Sequence, residues 1–128
     1  AYKKVLYGDD AERQLVALNL EPAGVTSATA FNLFNFPSWT VANYTWAILT
    51  WHAGGAIVLH QGPGRWRAMD PAQTHAVATP QMLTEILAAP AETPLRNPGL
   101  RLFLVGGVVP TGLWREARAR LTDDLWSL

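Results

Sequence analysis

The chain contains no cysteine and few charged residues. Without cysteine there is no disulfide framework, thiol nucleophile or cysteine-ligated zinc site, and the composition fits a reducing compartment such as the cytoplasm. Only 16% of the residues are charged, against about 25% in an ordinary soluble domain. Basic and acidic residues balance at ten each. This balance argues against a disordered or nucleic-acid-coating chain, because those need high net charge or a basic face.

The shortage of charged residues is confined to one stretch, because residues 22–64 contain no Asp, Glu, Lys or Arg. Its most apolar part, residues 39–53, is shorter than the roughly 17–25 residues of a membrane-spanning helix. That part also contains Asn43 and His52, so we expect a buried soluble segment and no membrane span. If exposed, so large an apolar surface predicts self-association through residues 22–64. The first residues lack an initiator Met and an apolar signal segment, and we expect a piece of a longer protein.

Helical and strand-like segments alternate along the chain. Helices are predicted at residues 9–21, from an N-cap at Ser38 to about residue 53, and at residues 80–89 and 110–121. Strands are predicted at residues 25–36, 56–60, 75–79 and 100–105 and from residue 124 onward. The strand at residues 56–60 is continuously apolar, which is typical of a parallel strand buried on both faces.

This alternation predicts an α/β fold over residues 1–128, a single domain. Its sheet would be mostly parallel with helices on both faces, in a flavodoxin-like or Rossmann-like layout. Ligands of such sheets bind at the carboxyl ends of the strands. These ends correspond to the turns around residues 35–37, 79–80 and 106–107.

No catalytic constellation is complete in this sequence. Neither a phosphate-binding Walker loop nor a dinucleotide-binding glycine motif is present. His52, His60 and His75 lack the spacing of a metal-binding pair and are predicted to be interface or cap histidines. The pairs at residues 9–10 and 123–124 are expected at helix boundaries, where acids interact favourably with the helix dipole. We therefore predict no catalytic and no metal-binding residue.

Two aromatic features have a functional alternative. The segment Arg65-Trp66-Arg67 could bind a phosphate or carboxylate through its guanidinium groups, or could be a solvated loop. The six tryptophans could stack on nucleic-acid bases. Without a basic stripe, they are better explained as core residues and as the lining of a hydrophobic pocket or interface.

Three stretches, taken in order, resemble the large N-terminal domain of the adenylate-forming (AMP-binding) enzymes. This superfamily contains acyl-CoA synthetases, aryl-CoA ligases, luciferases and peptide-synthetase adenylation domains. The stretches are a helix, glycine turn and apolar strand at residues 47–59, a T-x₅-P-x-M-L pattern at residues 74–83, and a strand ending in Gly-Gly at residues 100–107. The resemblance covers residues 25–128 well and the preceding residues loosely. The family's phosphate loop and its Tyr-Gly-x-Thr-Glu motif are absent.

The resemblance implies that a parent enzyme uses ATP and Mg²⁺ to convert a small carboxylic acid into an acyl-adenylate. Coenzyme A would then be the co-substrate that takes the acyl group, and the 128 residues alone would be inactive. By position, Gly106, Gly107 and Val108 would lie against the adenine, and Trp39, Phe36 and Gly106 would line the acyl pocket. Val108 stands where the family usually has Ala. The uncharged pocket walls favour an apolar aliphatic or aromatic acid, and the implied partners are this acid and the rest of the parent chain.

Two other interpretations remain open from the sequence. A stand-alone flavodoxin-like binding or oligomerisation module would use the apolar middle of the chain as an interface. A flavin or dinucleotide protein is less favoured, because no phosphate-binding turn follows a strand.

Overall fold

A computed structural model of the protein shows four helices and five strands in the described chain, which comprises residues 8–34, 36–37, 40–59, 71–88, 90 and 95–128. The helices are α1 (Asp9–Ala23), α2 (Val41–His52), α3 (Pro80–Leu87) and α4 (Thr111–Arg120). The strands are β1 (Ala30–Asn32), β2 (Ala56–Val58), β3 (His75–Ala78), β4 (Arg101–Leu104) and β5 (Asp124–Ser127). The predicted α/β fold is confirmed.

The five strands form one sheet in the order β2-β1-β3-β4-β5, and every neighbouring pair is parallel. This is the order of flavodoxin-like folds, in which the direction of winding reverses between β1 and β3. Helices α2, α3 and α4 follow β1, β3 and β4 in the chain. Because the strands are parallel, the turns after β1, β3 and β4 lie at one edge of the sheet, as predicted.

A hydrophobic core lies on each face of the sheet, because successive side chains of a strand point to opposite faces. Helices α1 and α2 cover the face that contains Phe31, Leu33, Val77 and Phe103. Helices α3 and α4 cover the opposite face. The strand residues buried there are Ala76, Ala78, Leu102 and Leu104.

Hydrogen bonds from side chains set two helix starts. Thr79 Oγ1 accepts the Met82 N–H at 3.1 Å, and Pro80 opens α3 as predicted. Helix α2 begins after Thr40, whose Oγ1 accepts the Asn43 N–H at 3.3 Å. The prediction of Ser38 as N-cap is therefore wrong, and Ser38 itself lies outside the described residues.

Strand β1 is much shorter than the predicted residues 25–36. Before it, the chain turns, because the Thr26 N–H bonds to Thr29 Oγ1 at 2.9 Å. After it, Asn32 Oδ1 accepts the Phe34 N–H at 2.8 Å, and Phe34 adopts a positive φ of 46°. These local bonds satisfy backbone groups that a longer strand would place in the sheet ladder.

Strand β2 was predicted to be buried on both faces, and this prediction is wrong. It forms an edge of the described sheet and pairs only with β1 there. Ala56 is exposed, and the neighbouring side chains Trp51 and Leu59 are 61% and 67% exposed. None of the helices in the described ranges has the length and apolarity needed to cross a membrane.

Candidate functional site

The turn after β4 lies against the start of α3 at the carboxyl edge of the sheet. The Val105 N–H donates to the Ala78 carbonyl at 3.0 Å and extends the ladder to the last residue before the turn. A Cβ added to Gly106 would lie 3.8 Å from Thr79 Cγ2, and one added to Gly107 would lie 3.7 Å from Pro80 Cγ. Two of the three turns predicted to face a ligand therefore lie side by side.

The surface of this turn is open backbone. Gly106 has a φ of 81°, a left-handed conformation that residues with a side chain rarely adopt. Gly106, Gly107 and Val108 are all exposed, and Val108 is 92% exposed. Gly106 and Gly107 themselves place no side chain in the way of a flat ligand that approaches their peptide groups.

Phe36 lies past the carboxyl end of β1 and is half-buried against the core under α1 and α2. Its N–H donates to the Leu33 carbonyl at 3.0 Å. Strand β3 lies between β1 and β4, so these two strands are about 10 Å apart at two strand spacings. Phe36 and Gly106 therefore follow strands on either side of β3. Trp39, the other predicted pocket residue, lies outside the described residues.

An uncharged groove of about 350 Å³ opens next to Val105, the residue before Gly106. This volume is within the range of small-molecule sites, about 300–1,000 Å³. The groove is lined by Asn19, Val41, Ala42, Thr45, Trp46, Leu49, Val105 and Leu128. None of these residues was predicted from the sequence to belong to a site. Only the fold shows that Val105 and Leu128 lie opposite Trp46 and Leu49 of α2.

A second groove, of about 410 Å³, lies between α1 and α2. It contains charged side chains and none of the residues of the turns after β3 and β4. Its lining is Glu12, Arg13, Val16, Ala17, Leu20, Glu21, Ile48 and His52. Its position away from the carboxyl edge makes it the less favoured ligand site.

His75 is a buried structural residue, only 8% exposed. Its Nδ1 lies 2.9 Å from Thr74 Oγ1, and its Nε2 lies 3.2 Å from the Ala23 carbonyl oxygen at the end of α1. Burial lowers the pKa of His75, and the nearby Arg101 charge acts in the same direction. The prediction of a capping histidine is thus confirmed at this position, while His60 lies outside the described residues.

The acidic pair at residues 123–124 has structural partners. Asp123 forms an ion pair with Arg96, and Asp124 Oδ2 accepts from Arg101 Nε at 2.8 Å. Burial raises the pKa of Asp124, but the hydrogen bonds from Arg101 and Trp126 outweigh it and leave that pKa below its usual value. Asp124 opens β5, in agreement with the strand predicted from residue 124 onward, and the pair lies beyond the end of α4 at Arg120, so its predicted place at a helix boundary is wrong.

Within the described ranges, no group of three or more His, Asp or Glu side chains is arranged to hold a metal ion. Asp9 and Asp10 lie in the first turn of α1, where acids were expected. The segment at residues 65–67 lies outside the described residues.

No protein-family model and no curated protein matches the chain, but solved structures share its fold. O-succinylbenzoate coenzyme A synthetase (MenE) from Bacillus subtilis, solved with AMP and with ATP and a magnesium ion, superposes over 85% of the chain with a TM-score of 0.64 and 19% identity. The inhibitor-bound N-terminal domain of FACL13 from Mycobacterium tuberculosis superposes over 88% of the chain with a TM-score of 0.64 and 18% identity. The amide bond synthetase McbA from Marinactinospora thermotolerans superposes over 88% with a TM-score of 0.65 and 19% identity.

The chain spans 23% of the MenE chain, 30% of the FACL13 domain and 24% of McbA. All three are adenylate-forming enzymes. At this level of identity the likeness establishes the fold, and the fold is the one that the three sequence stretches predicted.

Proposed function

We propose that the chain is part of an ATP-dependent ligase that activates a carboxylic acid as its acyl-adenylate. The observation that carries the proposal is the turn at Gly106 and Gly107, which presents open backbone at the carboxyl edge of the sheet beside an uncharged groove. The fold shared with three adenylate-forming enzymes supports the same activity.

In this proposal the adenine lies against Gly106, Gly107 and Val108. The two glycines have no side chain that could block the approach of a flat ring. Phe36, Trp39 and Gly106 line the acyl pocket. The groove beside Val105 continues this pocket, and its uncharged lining favours an apolar aliphatic or aromatic acid over a charged one.

ATP and Mg²⁺ belong to the proposed activity of the parent enzyme. When bound, Mg²⁺ would neutralise charge on the phosphates of ATP. The described residues contain no cluster of metal ligands.

Coenzyme A is the proposed acceptor of the acyl group. An amine is the alternative acceptor, because an amide bond synthetase shares the fold. We further propose a cytoplasmic location for the enzyme.

The adenine site can be tested by titrating the ¹⁵N-labelled chain with AMP. We expect shifts of the amide signals of Gly106, Gly107 and Val108 at millimolar AMP, and a loss of those shifts in Gly106→Val. The matched control is Gly112→Ala, because a Cβ at Gly112 meets nothing within 4 Å. Signals that do not move, or that move equally in Gly106→Val, would contradict the proposed adenine contact.

A module that binds or oligomerises without catalysis is the second candidate. The exposed apolar side chains Val41, Trp51 and Leu59, all within residues 22–64, favour an interface. We propose that this segment mediates self-association.

A further inference from the structure

Two asparagine side chains hold the turn that follows β1, one from the strand and one from α2. Asn32, the last residue of β1, accepts the Phe34 N–H on its Oδ1 at 2.8 Å. Asn43, in the first turn of α2, donates from Nδ2 to the Phe36 carbonyl. The two amides thus bond main-chain groups that lie two residues apart, and they fix the course of the chain from the sheet to Phe36.

Phe34 adopts a conformation that needs such support. Its φ of 46° lies in the left-handed region, which is unfavourable for a bulky side chain. Among the described residues it is the only one other than glycine with a positive φ. Its ring is buried in the core under α3 and α4, whereas Phe36 packs against the core under α1 and α2. Strained backbone of this kind persists where the surroundings over-determine it, and it is concentrated at functional sites.

Asn32 is itself fixed by buried polar partners. Its Nδ2 donates to Gln73 Oε1 at 2.9 Å, and the main-chain carbonyl of Gln73 accepts from Asn97 Nδ2 at 2.9 Å. None of the three residues is more than 6% exposed. A buried amide that lost a partner there would be costly. The Asn32 amide therefore has one orientation in which both of its bonds form, and this orientation fixes the sheet end of the turn.

Asn43 fixes the helix end of the turn, and the helix cap places it there. Thr40 Oγ1 accepts the Asn43 N–H at 3.3 Å, and the Thr40 N–H donates to the Pro37 carbonyl at 2.9 Å. The cap uses the main-chain N–H of Asn43, and the side chain of Asn43 bonds to Phe36. Loss of this side chain therefore breaks the bond to Phe36 and leaves the cap in place.

We propose that Asn43 is a positioning residue, which sets the place of Phe36 and through it the shape of the acyl pocket and the choice of acid. The inference rests on the proposed function, in which Phe36 lines that pocket. Asn43 acts through the Phe36 carbonyl and needs no contact with the acid. A residue that lines a binding site must be held within about 0.5 Å of its productive position, so a looser turn weakens the binding of a flat acid.

Asn43→Ala isolates this effect. The variant loses the bond to Phe36 and gains a better helix former, so a purely structural role predicts no loss of helix stability. The Phe36 N–H donates to the Leu33 carbonyl at 3.0 Å, and its native-state hydrogen exchange therefore reports on closure of the turn. We expect the protection of this amide to fall about fivefold, the effect of one ordinary hydrogen bond, while the Val105 amide in the sheet keeps its protection.

Asn43→Asp is a second variant in which helix and turn respond in opposite directions. A carboxylate in the first turn of a helix is stabilising, but it has no proton to donate to the Phe36 carbonyl. We expect this variant to be at least as stable as the native chain in urea denaturation and to show the same loss of protection at Phe36. It also decides the question should Asn43→Ala not fold.

Benzoate, an aromatic acid of the proposed class, tests the consequence for the pocket. Titration of the ¹⁵N-labelled native chain should shift the Phe36 amide signal, and Asn43→Ala should raise the dissociation constant about fivefold. The matched control is Thr84→Ala, which also removes a side-chain bond to a main-chain carbonyl, from Oγ1 to Pro80 at 3.0 Å, but outside the turn. It should leave the dissociation constant and the protection of Phe36 at their native values.

The two measurements separate this inference from the proposed function. Protection of Phe36 that is equal in the native chain and in both variants would overturn the positioning role, and so would a benzoate affinity that Asn43→Ala leaves unchanged. A native chain that shows no benzoate shift would refute the proposed pocket and the choice of acid, whereas a fivefold loss of protection in the same experiment would still establish that Asn43 holds Phe36.

Discussion

Replacing Gly24 with Ala is the sharpest test of how α1 is attached to the sheet. Gly24 follows the last residue of α1 and adopts a left-handed conformation with a φ of 68°. A Cβ at this position would overlap Arg101 Nη1, the atom that donates to the Ala23 carbonyl. The substitution therefore strains the backbone and displaces the guanidinium at the same time.

The two effects have comparable size. A residue with a Cβ in the left-handed region costs roughly 1–2 kcal/mol. Hydrogen bonds to charged groups contribute about 1.5–3 kcal/mol when well buried. The Arg101 side chain is 28% exposed, and solvent screening reduces its share to about 1 kcal/mol. We expect Gly24→Ala to lower the free energy of unfolding by about 2–3 kcal/mol in total.

Urea denaturation of both chains, followed by tryptophan fluorescence, measures this difference as a shift of the midpoint at constant slope. Gly112→Ala is the matched control, because a Cβ at Gly112 meets nothing within 4 Å. Alanine is also the better helix former, so this control should be at least as stable as the native chain. A Gly24→Ala midpoint equal to that of the control would refute the contact between Gly24 and Arg101.

Two further outcomes follow from the cores and from the apolar surface. Leu104→Ala, in the core under α3 and α4, should lower the free energy of unfolding by about 2–5 kcal/mol. Leu18→Ala, at a side chain that is 73% exposed, should change it by less than about 0.5 kcal/mol. Equal midpoints of the two variants in chemical denaturation would contradict this difference. Sedimentation velocity should show association of the native chain that grows with concentration. The double variant Trp51→Lys and Leu59→Lys should reduce this association, and the control Leu18→Lys should not. A monomer at all concentrations would count against self-association through residues 22–64.

The elements with strong local signals were predictable from the sequence. The predictions for β3 and α3 agree closely with the structure, because Thr79 and Pro80 mark the change from strand to helix. Local composition could not show that β2 lies at an edge, since an apolar run indicates burial but not which strands lie beside it. It also could not decide between Ser38 and Thr40, two residues with the same capping chemistry.

The candidate site was predictable only where it follows from strand ends. The turn at Gly106 and Gly107 was expected from the parallel sheet and from the glycine pair, and the structure places it there. The groove beside Val105 depends on contacts between distant elements. So does the bond from Arg101 to Ala23, which joins residues 78 positions apart. No short-range pattern in the sequence contains that information.

Of all neighbouring strands in the described sheet, β1 and β3 are joined by the fewest residue pairs. Only two residue pairs join these strands, Phe31 with His75 and Asn32 with Ala76, whereas four pairs join β3 and β4. Side chains also join these strands, through the stacked rings of Phe31, His75 and Phe103, the hydrogen bonds between Ala30 and Thr74, and the bond from Asn32 Nδ2 to Gln73 Oε1 at 2.9 Å. A substitution that shrinks the Phe31 ring would therefore weaken the sheet where its neighbouring strands are joined by the fewest residue pairs.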